Sequence, residues 1–321
     1  MKMLRKKFST NLDVPLIYPA VLLLILFALS LFASDSSAAT GGTTAQITFA
    51  TPSEAGQALQ AANQTNDAAE LRRILGPDSQ DVVGSGDPAQ DRAARRAFVA
   101  QYGQMNRWVA MTNGTEVLYI GVDNYPFPVP LAKNSDSRWY FDMAAGNQEI
   151  LARRIGRNEL LAMDACSAFA DAEDLYSLLS RNGNEYTPRI ISSDSKRDGL
   201  YWPVSAKQSP SPLAILSELP KSSRGSLAPG QPFVLDGYIL RILTSQGDAA
   251  DGGAKSYIVN GKMTGGFAIL ATPAKYGQTG IMTFMSGSDG VVYERNLGPD
   301  TYKIAASIQE FNPSEGWSPV N

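Results

Sequence analysis

Acid–base chemistry in this chain would fall to carboxylates, because none of its 321 residues is a histidine. Without imidazole there is no Ser-His-Asp or Cys-His nucleophile, no His-ligated zinc, no haem with an axial His and no His switch near neutral pH. A hydrolase built from what remains would most naturally use two carboxylates, as glycosidases do. Asp123 and Asp142, at the ends of neighbouring expected strands, are the pair that the pattern brings together. Ser193 and Lys196 fit the S-x-x-K spacing of Ser/Lys acyl enzymes, yet Ser193 sits in a turn-rich loop and neither S-D-N nor K-T-G occurs, so chance is the simpler reading. Asp248 with Asp251, and Ser286 to Asp289, offer oxygens that could meet calcium, but neither has EF-hand spacing and turn chemistry accounts for both. No metal site and no cofactor is expected.

Three segments could bind rather than react. In Asp123 to Pro130 the alternating prolines force extended backbone and remove donors, leaving Tyr125 and Phe127 to project, either into a pocket rim or from a proline-protected edge strand. Arg153, Arg154 and Arg157 crowd one helical turn beside Glu149, Glu159 and Asp164; they could fork a carboxylate or phosphate, or form a solvated or interdomain ion-pair set. Asp194 to Pro203 carries Lys196, Arg197, Tyr201 and Trp202. A cation beside an aromatic ring is a platform for sugars or peptides, but the same rings could simply pin a long loop to the core.

Stepping outward along the chain, Lys2, Arg5, Lys6 and Lys7 precede an uncharged, mostly apolar stretch from Val14 to Ala33. Residues 1–39 read as a signal peptide or membrane anchor: cleavage after Ala39 would leave a chain starting near Thr40, and retention would give a short span weakened by Pro15 and Pro19. Either way the remainder is exported, and a periplasmic, cell-envelope location is expected. Basic and acidic residues number 28 and 31, a net charge of −3, which argues against nucleic acid as a partner. The single Cys166 excludes an intramolecular disulfide, so the fold relies on its core.

The mature length allows two domains. Residues 46–146 show helical signals, from Thr51-Pro52-Ser53-Glu54, from Ala68 to Leu75 before Gly76-Pro77, and through Phe98 to about Tyr102. The period then changes to two over Trp108–Met111, Glu116–Ile120, Pro128–Ala132 and Arg138–Phe141, with Asn113-Gly114 as a hairpin turn. Residues 147–321 begin with a long helix, capped by Asn147, stopped by Asn182-Gly183 and open to a break at Gly156. A Pro- and Ser-rich stretch follows, then a glycine-punctuated meander from Phe233 to Asn296 and a last helix over about 300–308. The expected class is α+β: two domains, each with helices followed by an antiparallel sheet, joined by the long helix.

Several strings carry a resemblance: Asn124-Tyr125-Pro126-Phe127-Pro128-Val129-Pro130, Arg154-Ile155-Gly156-Arg157-Asn158-Glu159, Lys196 to Pro203, Val259-Asn260-Gly261-Lys262-Met263, Gly265 to Ala268, and Tyr276 to Phe284. Together they resemble a family of exported bacterial proteins known only as a domain of unknown function, which implies an envelope location and no defined activity. Pro126 through Asp142 also resembles the closing strands of the nuclear-transport-factor-2-like cone fold. Glu149 onward resembles the headpiece of type IV pilin-like proteins, although here a whole domain separates the export segment from that helix. The expected role is a non-catalytic binding or accessory module for a protein or envelope component. The alternatives are a small-ligand-binding cone domain over residues 46–145 and a carboxylate-dependent hydrolase of envelope polymers.

Overall fold

The computed structural model describes residues 45–180, 184–203, 210–220, 223–314 and 316–320. The export segment expected over 1–39 lies outside them, as do Asn182 and Gly183, the expected helix stop. Among the described residues no helix is long and apolar enough to cross a membrane. The chain forms two compact units that divide between Ile150 and Leu151.

Helices of the first unit start where short polar side chains can satisfy free amides. Thr51 caps α1 (Pro52–Gln64), Asp67 caps α2 (Ala68–Leu75) and Asp87 caps α4 (Pro88–Gln104). A short α3 (Gln80–Val83), not expected from the pattern, precedes α4. The sheet comprises β1 (Asn106–Ala110), β2 (Glu116–Ile120), β3 (Tyr125–Pro126), β4 (Leu131–Lys133) and β5 (Trp139–Phe141). Its order is β1-β2-β4-β5, with β3 also paired to β2, and every pairing is antiparallel. Pro128 and Pro130 fall in the gap between β3 and β4, where a residue without an N–H does no harm, so the strand expected over 128–132 begins only at Leu131. The core lies between α1, α2, α4 and the sheet, around Leu59, Ile74, Phe98, Leu118, Ile120 and Phe141.

The long helix α5 (Met143–Leu179) starts five residues earlier than a cap at Asn147 implies. Asp142 Oδ1 accepts from the Ala145 amide at 3.0 Å and so acts as the cap, while Asn147 lies inside the helix and donates to Asp78 O at 3.3 Å. Helix α5 runs unbroken through Gly156.

In the second unit the strands are β6 (Phe233–Leu235), β7 (Tyr238–Leu243), β8 (Ser245–Gln246), β9 (Lys255–Ser256), β10 (Ile258–Val259), β11 (Lys262–Met263), β12 (Ala268–Pro273), β13 (Met282–Gly287), β14 (Val292–Asn296) and β15 (Ser318–Pro319). Six of them make one antiparallel sheet in the order β15-β14-β13-β12-β7-β6. Strands β8 with β9 and β10 with β11 are separate two-stranded pairs, and the turn of the latter is Asn260-Gly261, both at positive φ. All six residues of β12 are buried, as a central strand covered on both faces requires. On one face Ala162, Cys166 and Phe169 of α5 pack among Leu240 and Ile269; on the other lies α6 (Thr301–Ser307). The fold class is therefore α+β with antiparallel sheets.

Candidate functional site

The register of the second sheet sets Arg241 opposite Leu270 and Ile239 opposite Thr272. Side chains alternate along strands, so these four project together from the face away from α5. They floor an open cleft of about 460 Å³, walled by Pro188 to Ile191, by Gly230 to Phe233 and by Tyr302 and Ala306 of α6. Arg241 sits at the foot of α6, where Nη2 donates to Ala305 O at 3.0 Å and to Ile308 O. Both carbonyls belong to the last turn of α6, where Ala305 O also accepts from the Ile308 amide at 3.2 Å. Burial holds the guanidinium below its ordinary pKa.

One wall of the cleft is built by the loop that leads to Trp202. Thr187 N–H donates to Glu173 Oε2 at 3.0 Å, and Thr187 Oγ1 donates to Asp198 O at 2.6 Å. Asp198 in turn accepts from Ser193 N at 2.7 Å and Ser193 Oγ at 2.8 Å, and lies 3.7 Å from Arg189. Partial burial works against its charge, but these donors and Arg189 hold the Asp198 carboxyl below the usual range. Gly199 is needed here, because a Cβ at that position would come within 2.6 Å of Ser192 N. Ser193, the serine of the S-x-x-K spacing, is thus bound to Asp198.

Tyr201 and Trp202 are 7% and 6% exposed, and Arg197 sits 5.5 Å from the Trp202 ring centre. Both rings are turned into the protein and pin the loop, so they form no open platform; Lys196 and Arg197 remain exposed at its surface.

Glu173 is the least expected residue of this region. It occupies the apolar face of α5, one turn beyond Phe169 and two beyond Cys166, and is fully buried. Its Oε1 finds no hydrogen-bond partner among the described residues. Burial pushes its carboxyl up to about 8, opposed by the Thr187 amide and assisted by Asp174, so at neutral pH the neutral acid predominates. Cys166 is equally buried, and desolvation pushes its thiol up to about 12.

The arginine turn is held within the second unit. Arg154 Nε donates to Gln278 O at 3.1 Å, Asn158 Nδ2 donates to Thr279 O at 2.9 Å, and Glu159 Oε1 accepts from the amides of Ile281 and Met282 at 2.8 and 3.0 Å. Burial and then Arg157 lower the Arg154 pKa. Arg153 and Arg157 are engaged by neighbours as well, and the Arg157 charge partly offsets the rise that burial imposes on Asp236. Two of the strings singled out in the sequence, Arg154 to Glu159 and Tyr276 to Phe284, are therefore hydrogen-bonding partners.

Tyr125 lies on β3, paired with Ile120, and Phe127 packs edge-on against Phe98 and Phe141 with ring centres 5.6 and 6.2 Å apart. Both line an apolar cavity of about 110 Å³ in the first unit, with Leu59, Leu71, Phe98 and Ile120. Asp123 and Asp142 are not brought together. Strand β4 intervenes between β2 and β5, with Asp142 N bonded to Pro130 O near the start of β2 and Asp123 in the turn beyond its end. Strand spacing and rise put them on the order of 15 Å apart. Glycosidase pairs stand roughly 5–9.5 Å apart. Among the described residues no cluster of three or more His, Cys, Asp or Glu side chains is placed to hold a metal ion.

Arg241 and Glu173, which anchor the cleft floor and support its wall, belong to no catalytic or binding motif of the sequence. Their signal was a charge breaking an otherwise apolar pattern: Arg241 amid Tyr238-Ile239-Leu240 and Ile242-Leu243, and Glu173 on the apolar helix face.

The fold and cleft define an α+β protein of two units with an open site on the second sheet. The family described as protein of unknown function (DUF2950) matches residues 46–320, and the chain belongs to that family. Comparison with curated proteins finds no match, and comparison with solved structures finds none either.

Proposed function

We propose that this is an exported cell-envelope protein whose mature chain is a non-catalytic binding or accessory module for a protein or envelope component. The observation that carries the reading is the 460 Å³ cleft, which is of small-molecule or side-chain size and pairs a largely apolar floor with the anchored charge of Arg241. The basic segment and apolar stretch of residues 1–39 support export. The carboxylate pair that a hydrolase would need is separated, which weighs against that alternative.

A photo-crosslinking residue at Tyr302, which is 69% exposed on the cleft rim, tests this in living cells against the same residue at Lys133 of the first unit. An adduct of defined mass at Tyr302 alone, from an envelope fraction whose chain starts near Thr40 or retains its leader in the membrane, is expected. Equal labelling at both positions, or recovery from the cytoplasm, would sink the reading.

A second reading, a small-ligand site in the first unit, is favoured by the 110 Å³ apolar cavity beneath Tyr125 and Phe127. Indole-sized apolar compounds are the probes. A true ligand at 100 times its dissociation constant should add about 2.7 kcal/mol of stability. Equal shifts in a Leu71→Trp variant, with the cavity filled, would remove it.

A further inference from the structure

Only part of the donor fork of Arg241 is used. Its Nη2 serves Ala305 O and Ile308 O, whereas Nε and Nη1 have no hydrogen-bond acceptor among the described residues. The second arginine lining the cleft, Arg189, lies 3.7 Å from the Asp198 carboxylate. The cleft thus carries one positive charge that no described carboxylate balances. Most of the lining around it is apolar, with Ile239 two positions along β7 on the same face and Leu270 directly across on β12.

Both two-donor edges of a guanidinium include Nη2, which is spent on α6 here, so a carboxylate accepts singly from the remaining Nη1 or Nε donors, in charge-assisted bonds that gain strength where water is partly excluded. Charge arithmetic selects among anions. One unbalanced cation neutralises a monoanion, whereas a dianionic phosphate ester would leave a negative charge uncompensated beside apolar surface, which is costly.

Accepting the cleft as the binding site, we infer that it takes a monocarboxylate with an apolar body, its carboxylate accepting from the Arg241 donors that α6 leaves unused and its apolar part on Ile239 and Leu270. Arg241 has a double role in this arrangement: Nη2 fixes the end of α6, which forms one wall, and that same anchorage orients the remaining donors without further loss of side-chain freedom.

Isothermal titration of the full chain with octanoate, 1-octanol and octyl phosphate, all below their aggregation concentrations, tests this. Octanoate should bind, with 1-octanol and octyl phosphate each weaker by about tenfold or more. Arg241→Gln should weaken octanoate by a similar factor while leaving 1-octanol unchanged. Since that change also loosens α6, Ala306→Trp provides the independent arm: Ala306 is an exposed residue of the cleft wall, and the indole should abolish octanoate binding with the Arg241 contacts intact. Octanol or octyl phosphate binding as tightly as octanoate, no octanoate binding, or binding that survives Ala306→Trp would overturn the inference. A persistent crosslink at Tyr302 in any of those cases would leave the cleft as a binding site for another chemistry; its loss as well would remove both.

Discussion

Glu173 is a carboxyl in an apolar environment, and its protonation is tied to folding. Its ordinary pKa is 4.5 and burial raises it to about 8, so between those values the folded chain holds a proton that the unfolded chain has released. Stability from this group is therefore full below about pH 4.5, declines as pH rises, and is lost by the time pH passes through about 8. Asp174, beside it on the same helix, adds to the rise. Glu173→Gln keeps the shape and the acceptor for the Thr187 amide without the charge. It should flatten the pH dependence and stabilise the chain at pH 8–9 by on the order of 2 kcal/mol; urea denaturation at several pH values reads this, and a variant curve parallel to the parent's would contradict it. A glycine gives the opposite sign: a Cβ at Gly280 would stand 2.0 Å from the Tyr238 hydroxyl, which donates to Met282 O at 2.8 Å. Gly280→Ala should cost about 1–3 kcal/mol by overpacking, measured as a lower thermal midpoint.

At the scale of elements, local chemistry was legible wherever a cap or turn decides the matter within a few residues. Thr51 and Asn113-Gly114 stand where the pattern expects them, because each satisfies backbone groups next to itself. The start of α5 was misread for the complementary reason. Asn147 is as good a cap as Asp142 by residue type, and the choice fell to where β5 leaves the ladder, with Asp142 N still bonded to Pro130 O. Helix α5 also offers a test of its own. Gly156 lies in its interior, and a Cβ there would meet nothing within 4 Å. Gly156→Ala should therefore stabilise by about 0.5–1 kcal/mol through reduced backbone entropy of the unfolded chain. No change, or a loss, in chemical denaturation would show that this helix needs its glycine.

At the scale of the molecule there are two hydrophobic clusters with no residue in common, one in each unit. Phe141 is fully buried in the first and Cys166 in the second. Phe141→Ala should cost the first unit about 3–5 kcal/mol. The Cys166 thiol should nevertheless label with a maleimide as slowly as in the parent chain, because its burial and raised pKa belong to the second unit. Fast labelling in the variant under native conditions would mean that the two cores melt together.

The sequence alone determined what is local or compositional: the absence of imidazole chemistry, the alternation of helix and strand signals, and the strings that resemble the family. Each depends on residue type or on neighbours a few positions away, which the linear order preserves. Tertiary structure decided the rest. Asp123 and Asp142 fall at the ends of strands expected to be neighbours but are parted by β4, whereas Arg154, Asn158 and Glu159 meet residues more than a hundred positions later. Arg241 became a cleft residue only when strand register set it across from Leu270 beneath α6, and Glu173 became a buried acid only when α5 met its sheet. Register and burial are set by pairings between distant segments, and no periodicity within either segment encodes which partner it will find.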